Sequence, residues 1–389
     1  MIDYIMEWGS LLLRWLHVIT AIAWIGSSFY FVWLDLSLRK RDGMPKGAHG
    51  ESWSVHGGGF YHVQKYLVAP ERMPQELHWF KHESYFTWLS GFALLMVTYW
   101  YGAQSYLIDP AVAELSVASA IAISAASLVV GWVFFDQLCK SKLGENLWLL
   151  GGIIFVFLMI AGWAYSEVFS GRAALLHVGA MIATWMTGNV FFIIIPNQKK
   201  VVATLKAGGT PDAIYGKIAK QRSTFNNYLT LPVLFMMLSN HYPMTFAVEQ
   251  LWIVVGLIVL IGASIRSWFN FGHEGRTGLA VQWQWPTAAA LTLVLAWFLY
   301  VPPVEAQAGE AIITDQQALA ITNQHCVACH GAVAAAAMKG VQLHDVDSIL
   351  RNKAGVLAQA VVGRAMPMGN ATGMSDDERR QLGLWLQSK

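Results

Sequence analysis

Charge is scarce in this chain. Only 13% of its 389 residues are Asp, Glu, Lys or Arg, against 55% hydrophobic, and 18 are tryptophan. With a mean hydropathy of +0.43, that is too apolar for a soluble globular protein and places most of the chain in a lipid bilayer. A net charge of +2 gives no reason to expect nucleic acid as a partner. No glycine-rich flavin or nicotinamide fingerprint is present, so electrons handled here need another carrier. The first apolar stretch is flanked by Asp3 and Glu7, lacks a Lys/Arg-rich leader and is longer than the core of a signal peptide, so it reads as a retained helix. Cysteine is rare too. Of three, Cys139 stands alone near a helix end and reads as inert packing.

The other two fall in Cys326-Val-Ala-Cys329-His330. CxxCH is the attachment sequence for covalent haem: the thiols form thioethers to the porphyrin and the histidine is an axial iron ligand. A redox dithiol would sit in a βαβ setting, and a zinc site needs two further ligands at matching spacing; neither context is present. Met366-Pro367, 36 residues beyond His330, fits the sixth ligand, with Met368 as its rival. A thioether raises the potential and suits an electron acceptor. His330 and Met366 are therefore the expected iron ligands of a haem c in a class I-like cytochrome domain at 313–389. Ser375 and Glu378 form a capping box that opens its last helix, and the segment 302–312 (PPVEAQAGEAI) reads as a linker.

Apolar runs long enough to cross about 30 Å of hydrocarbon lie at 11–34, 85–104, 115–138, 147–169, 174–195, 224–243, 247–269 and 281–301. The expected fold is thus all-α, an eight-helix transmembrane domain at 1–301. Lys and Arg are confined to alternate connections: seven in 35–84, two at Lys140 and Lys142, six in 197–223 and two in 266–280, against Arg172 alone on the other side. By the positive-inside rule the N-terminus and the cytochrome domain are periplasmic and loop one is cytoplasmic, as in a bacterial inner-membrane protein. Haem c is attached in the periplasm, which agrees.

Spans one and five match at an offset of 160, His17 against His177 and Trp24 close to Trp185, as a parallel repeat of four plus four helices would produce. Ionisable groups in lipid are expensive and usually functional. His17 and His177 are candidates to ligate a second, non-covalent haem b, or else to hydrogen-bond across helices or to Asn189; His241 is a third candidate. The other tier of histidines is in loop one: His49, His56, His62, His78 and His82. The run His56-Gly-Gly-Gly59-Phe60-Tyr61-His62 combines close backbone approach with proton transfer and stacking. His78 and His82 would share a helix face begun at Pro74, a spacing compatible with metal but without an acidic or cysteine partner. A polar cytoplasmic loop is the plain alternative.

Four blocks carry a family resemblance: LHVITAIAWIGSSFYFVWLDL from Leu16, ESWSVHGGGFYHVQKYLVAPERMPQELHWFKHESYFTWLSG from Glu51, LHVGAMIATWMTGNVFFIIIPNQKK from Leu176, and a tail with CVACH and MPMGN. Over nearly its whole length the chain resembles the bacterial membrane-bound, cytochrome-c-linked urate oxidases, or urate hydroxylases. The resemblance implies urate as substrate, 5-hydroxyisourate as product and the fused cytochrome as electron acceptor, feeding a downstream cytochrome or terminal oxidase. Urate is a planar anion whose oxidation removes electrons and a proton while water adds at C5, so its site needs an aromatic wall, a cationic or amide clamp and a base. Loop one offers Phe60 and Tyr61 for stacking with Trp79, Gln64, Lys65 and Arg72 for clamping, and His56 or His62 as base. The alternatives are another membrane dehydrogenase, acting on a quinol or a porphyrinogen, and a transporter fused to an electron carrier.

Overall fold

The computed structural model describes residues 1–66, 70, 74–276, 278–300, 311–332 and 340–389. Helices dominate: α1 (Ile2–Ser37), α2 (His82–Leu94) running on as a π turn Leu95–Trp100, α3 (Ala103–Tyr106), α4 (Val117–Lys140), α5 (Leu147–Ser166), α6 (Gly171–Gly188), α7 (Ile195–Lys206), α8 (Ala213–Leu238), α9 (Leu251–His273), α10 (Leu279–Gln282) and α11 (Gln284–Phe298). Polar residues start several of them. Ser116 accepts from the Ser119 amide, Asn146 from the Trp148 and Leu149 amides, Ser170 from Ala173 and Asp212 from Ile214, which satisfies donors that no helical carbonyl can reach.

Five helices among the described residues are long and apolar enough to cross a membrane: α1, α4, α5, the continuous α6–α7 rod and α9. Eight were expected. The runs at 85–104, 224–243 and 281–301 are helical but fall short. The first is divided between α2 and its π turn, α8 begins with a polar half carrying Lys217, Lys220 and Arg222, and α11 has 15 residues. Helix contacts are close where side chains are missing. A Cβ at Gly262 would stand 2.6 Å from Pro232 Cδ, and one at Gly179 2.9 Å from Met236 Cβ, the small-residue packing that lipid-embedded helices use in place of a hydrophobic drive. The largest core gathers Phe135, Leu158, Leu175, Trp185, Met236 and Leu251.

Loop one corrects the all-α expectation. Ala48–His56 (β1) and Gly59–Tyr66 (β2) form an antiparallel hairpin, with Trp53 opposite His62 and His56 opposite Gly59. Gly57 (φ 58°) and Gly58 (φ 80°) take the left-handed backbone at its turn, where a side chain would be strained. Two of the three glycines in the run thus close a hairpin.

In the C-terminal segment α12 (Asp315–His325), α13 (Val327–His330), α14 (Val346–Arg351), α15 (Lys353–Val356) and α16 (Asp376–Ser388) surround a second core of Ala318, Cys326, Leu343, Ile349, Leu382 and Trp385. The capping box read at Ser375 and Glu378 is present in both directions. The linker read at 302–312 lies outside the described residues except for its last two positions. This segment rests on one end of the helical bundle: a Cβ at Gly369 (φ 57°) would lie 2.6 Å from the Gln104 carbonyl oxygen, and one at Gly363 2.6 Å from Pro243 Cβ. That end, where α2 stops and α9 starts, is the C-terminal face; the hairpin marks the opposite one.

Candidate functional sites on two faces

On the C-terminal face, α12 ends at His325 and the CxxCH residues follow at once. The Cys326 and Cys329 thiols are free, the first buried and the second exposed. His330 Nδ1 donates to the Val341 carbonyl oxygen at 2.9 Å, and a ring nitrogen fixed in this way leaves Nε2 as the ligating one. Met366 packs against the core that contains Cys326, and its carbonyl accepts from Arg379 Nη1 at 2.6 Å. The donor set therefore fits a covalently attached haem. Met374, only 2% exposed, is part of that core.

The two intramembrane histidines differ. His177 is fully buried and engaged at both nitrogens, Nδ1 with the Ala173 carbonyl at 2.7 Å and Nε2 with Ser124 Oγ at 2.7 Å, while Ser124 Oγ accepts from Trp100 Nε1. Its lone pair is taken, so it does not fit a haem ligand as placed. His17 Nδ1 lies 3.0 Å from the Thr87 carbonyl and 3.1 Å from Ser90 Oγ, which leaves Nε2 for another partner. His17 meets α2 and His177 meets α4, so their surroundings are not repeat-equivalent. Asn189 bonds Asn226 and Arg222, not a histidine. His241 is exposed and lines a cleft with Tyr242, Met244, Ala358 and Val362 between the bundle and the C-terminal segment.

On the hairpin face the expected substrate residues are spread out. His62 stacks on Trp53 with ring centres 4.2 Å apart, and its Nε2 lies 2.8 Å from Glu51 Oε2; this contact holds the Glu51 carboxyl below the usual carboxylate range. Lys65 pairs with Asp35 at 2.6 Å, and Gln64 accepts from the Tyr66 hydroxyl. His56, Phe60 and Tyr61 are exposed, and since neighbours on a strand point to opposite faces, Phe60 and Tyr61 cannot form one wall. Arg72 lies outside the described residues. His78 precedes α2 and His82 begins it, which removes the shared helix face read for them. Among the described residues no group of three His, Cys, Asp or Glu is placed to hold a metal ion.

A cleft that the loop-one reading missed opens beside the hairpin. Phe29, Tyr30 and Trp33 near the end of α1, with Arg266, Phe269 and His273 near the end of α9, enclose about 340 Å³, within the usual small-molecule range of about 300–1,000 Å³. Arg39 ties cleft and hairpin together: its backbone pairs with Glu51 and its Nη2 donates to the His273 carbonyl at 3.2 Å. Deeper in the bundle, Arg222 is buried against Asp136 Oδ1 at 2.9 Å, and Lys140 takes the other carboxylate oxygen. The available signal was charge inside an apolar run, at Asp136 and Arg266.

The family model for the urate oxidase N-terminal region matches residues 3–300. No curated protein and no solved structure matches the chain. That match takes in the hairpin, the aromatic cleft and every membrane-length helix, and by it the chain belongs to the urate oxidase N-terminal family.

Proposed function

We propose that this protein oxidises urate in a bacterial inner membrane and delivers the electrons to a haem c on its own C-terminal segment. The observation that carries the reading is the conjunction, in one chain, of a urate oxidase family region over 3–300 and a CxxCH motif in a C-terminal segment that meets this region at Gly363 and Gly369. Urate monoanion and one water give 5-hydroxyisourate monoanion, two protons and two electrons: a C5–O bond forms, and the electrons leave one at a time. Cys326 and Cys329 would tether the haem, and His330 and Met366 would hold its iron. When bound, the group supplies a one-electron acceptor with a raised potential. A soluble cytochrome or terminal oxidase then drains it.

By the distribution of Lys and Arg, the hairpin face is cytoplasmic and the haem face periplasmic. His56 and His62 remain candidate bases on the cytoplasmic side, and Phe60, Tyr61, Gln64, Lys65 and Arg72 candidate substrate contacts. The two faces are separated by about 30 Å of hydrocarbon, too far for a single useful tunnelling step. His17, with one nitrogen anchored and the other unbonded, is the residue best suited to hold a b-type haem between them; His177 is not. Anaerobic reduction of the haem c by urate, with oxygen-18 from labelled water entering the product, is expected. Reduction by quinol and not urate would favour another dehydrogenase, and urate uptake without reduction a transporter.

A further inference from the structure

We infer that the cleft between α1 and α9 is the urate-binding site, with Arg266 as the charge partner of the anion. This rests on the urate reading above and moves the substrate clamp from the hairpin itself to the cleft beside it.

Arg266 carries a charge that has no counterion among the described residues. Arg266 is 4% exposed, yet all its partners among the described residues are neutral. Nε donates to Asn227 Oδ1 at 3.4 Å, Nη2 to Asn270 Oδ1 at 3.3 Å, and the guanidinium lies 4.1 Å from the centre of the Phe29 ring. Arg222, buried to the same degree, has Asp136 at 2.9 Å. Of the three buried guanidiniums among the described residues, Arg222 is neutralised by a carboxylate and Arg379 is met by two carbonyls and an amide, whereas Arg266 has only two long bonds to amides and is left the most open. A buried cation without an anion is costly, and a bound anion removes the cost.

Buried amide groups around α9 are also left unused, although neither of them belongs to the cleft lining. Asn227 Nδ2 is buried and has no acceptor, although Asn227 Oδ1 is bonded to both Arg266 and Asn270. Gln284 is fully buried with neither amide atom partnered; it opens α11, which packs along this end of α9 with Trp285 against Trp268 at 5.4 Å between ring centres. The lactam edges of urate alternate N–H donors with C=O acceptors, and a planar guanidinium fork can meet the acceptors. Phe29, Tyr30, Trp33 and Phe269 give flat apolar faces for a planar ring. His273 lines the same cleft as a proton acceptor, and Arg39, whose Nη2 reaches the His273 carbonyl, adds positive charge beside it, while Arg276 is paired with Glu274. An anionic lipid headgroup shares the charge chemistry but has no flat ring to fill the aromatic walls.

The test is equilibrium binding of labelled urate to the full-length haem-loaded protein in nanodiscs of zwitterionic lipid, run beside anaerobic haem reduction. Arg266→Gln should weaken binding by about 10- to 100-fold, the range of a lost hydrogen-bonded charge. Asn227→Asp should insert and hold haem normally, because it gives Arg266 an internal counterion, yet it should lose urate affinity to a similar extent. It decides the matter if Arg266→Gln fails to insert, and a merely structural Arg266 would not produce that loss. Wild-type affinity in both variants overturns the cleft and leaves urate oxidation standing. Urate displaced by added anionic phospholipid, with no loss of urate binding in the variants, would make the cleft a lipid site and overturn the inference. A wild-type protein that neither binds nor is reduced by urate ends the functional reading and the inference with it.

Discussion

In the proposed haem site, Met366 is the residue on which the behaviour of the C-terminal segment would depend. It packs with the core around Cys326, whereas Met368 begins the short turn that leads to the docking glycine. Met366→Ala should lower the haem c potential and reduce steady turnover by roughly two orders of magnitude while thioether attachment, which depends on the cysteines, survives. Redox titration and a denaturing gel stained for haem check both halves; the same loss from Met368→Ala alone would reassign the ligand. The proposed haem site is a reading of the sequence motif alone, because attachment chemistry is local, compressed into Cys326 to His330. Arg266 was legible only as a charge inside the apolar run 247–269, because the string does not say which partners its helix carries it to. It reads as a positive-inside charge, yet α9 continues to His273 and places it among Phe29, Phe269 and two asparagines.

Among the elements, those with long uniform apolar runs were legible: α1, α4, α5, the α6–α7 rod and α9. α8 was blurred because polar side chains run on into its buried part, where Arg222, Asn226 and Asn227 are buried against Asp136, Asn189 and Asn270. The hairpin had a signal that went unused. Trp53 and Val55 alternate with serines ahead of a glycine turn, which is a period of two, but histidine chemistry drew the reading away from backbone pattern. The contact between α1 and α2 is set by one missing side chain. A Cβ at Gly91 would fall 2.8 Å from His17 Cε1, and the ring cannot easily turn away while Nδ1 is held by Thr87 and Ser90. Gly91→Val should therefore destabilise the protein by roughly 1–3 kcal/mol, read as a lower thermal midpoint in detergent, whereas the same change at Gly9, which has nothing within 4 Å, should be near neutral.

At the scale of the whole molecule, the two candidate sites lie at opposite ends of the helices, with the anion cleft beside the hairpin and the CxxCH site on the C-terminal face. Docking of that face depends on backbone contact. Gly369 combines a left-handed φ of 57° with carbonyl oxygens of Gln104 and Ile108 at 2.6 and 2.8 Å from a notional Cβ. Gly369→Ala is expected to slow haem reduction about tenfold or more, since misplacing the partners of a transfer step by an ångström is costly, with haem content and urate affinity unchanged; stopped-flow traces at wild-type rate would show that this contact does not guide the transfer. The account as a whole turns on one measurement, an anaerobic titration of the purified protein with urate followed in the haem c absorbance band. It predicts full reduction without added mediator, two electrons delivered per urate consumed, and no hydrogen peroxide. A haem c that stays oxidised in excess urate while dithionite reduces it at once would contradict it.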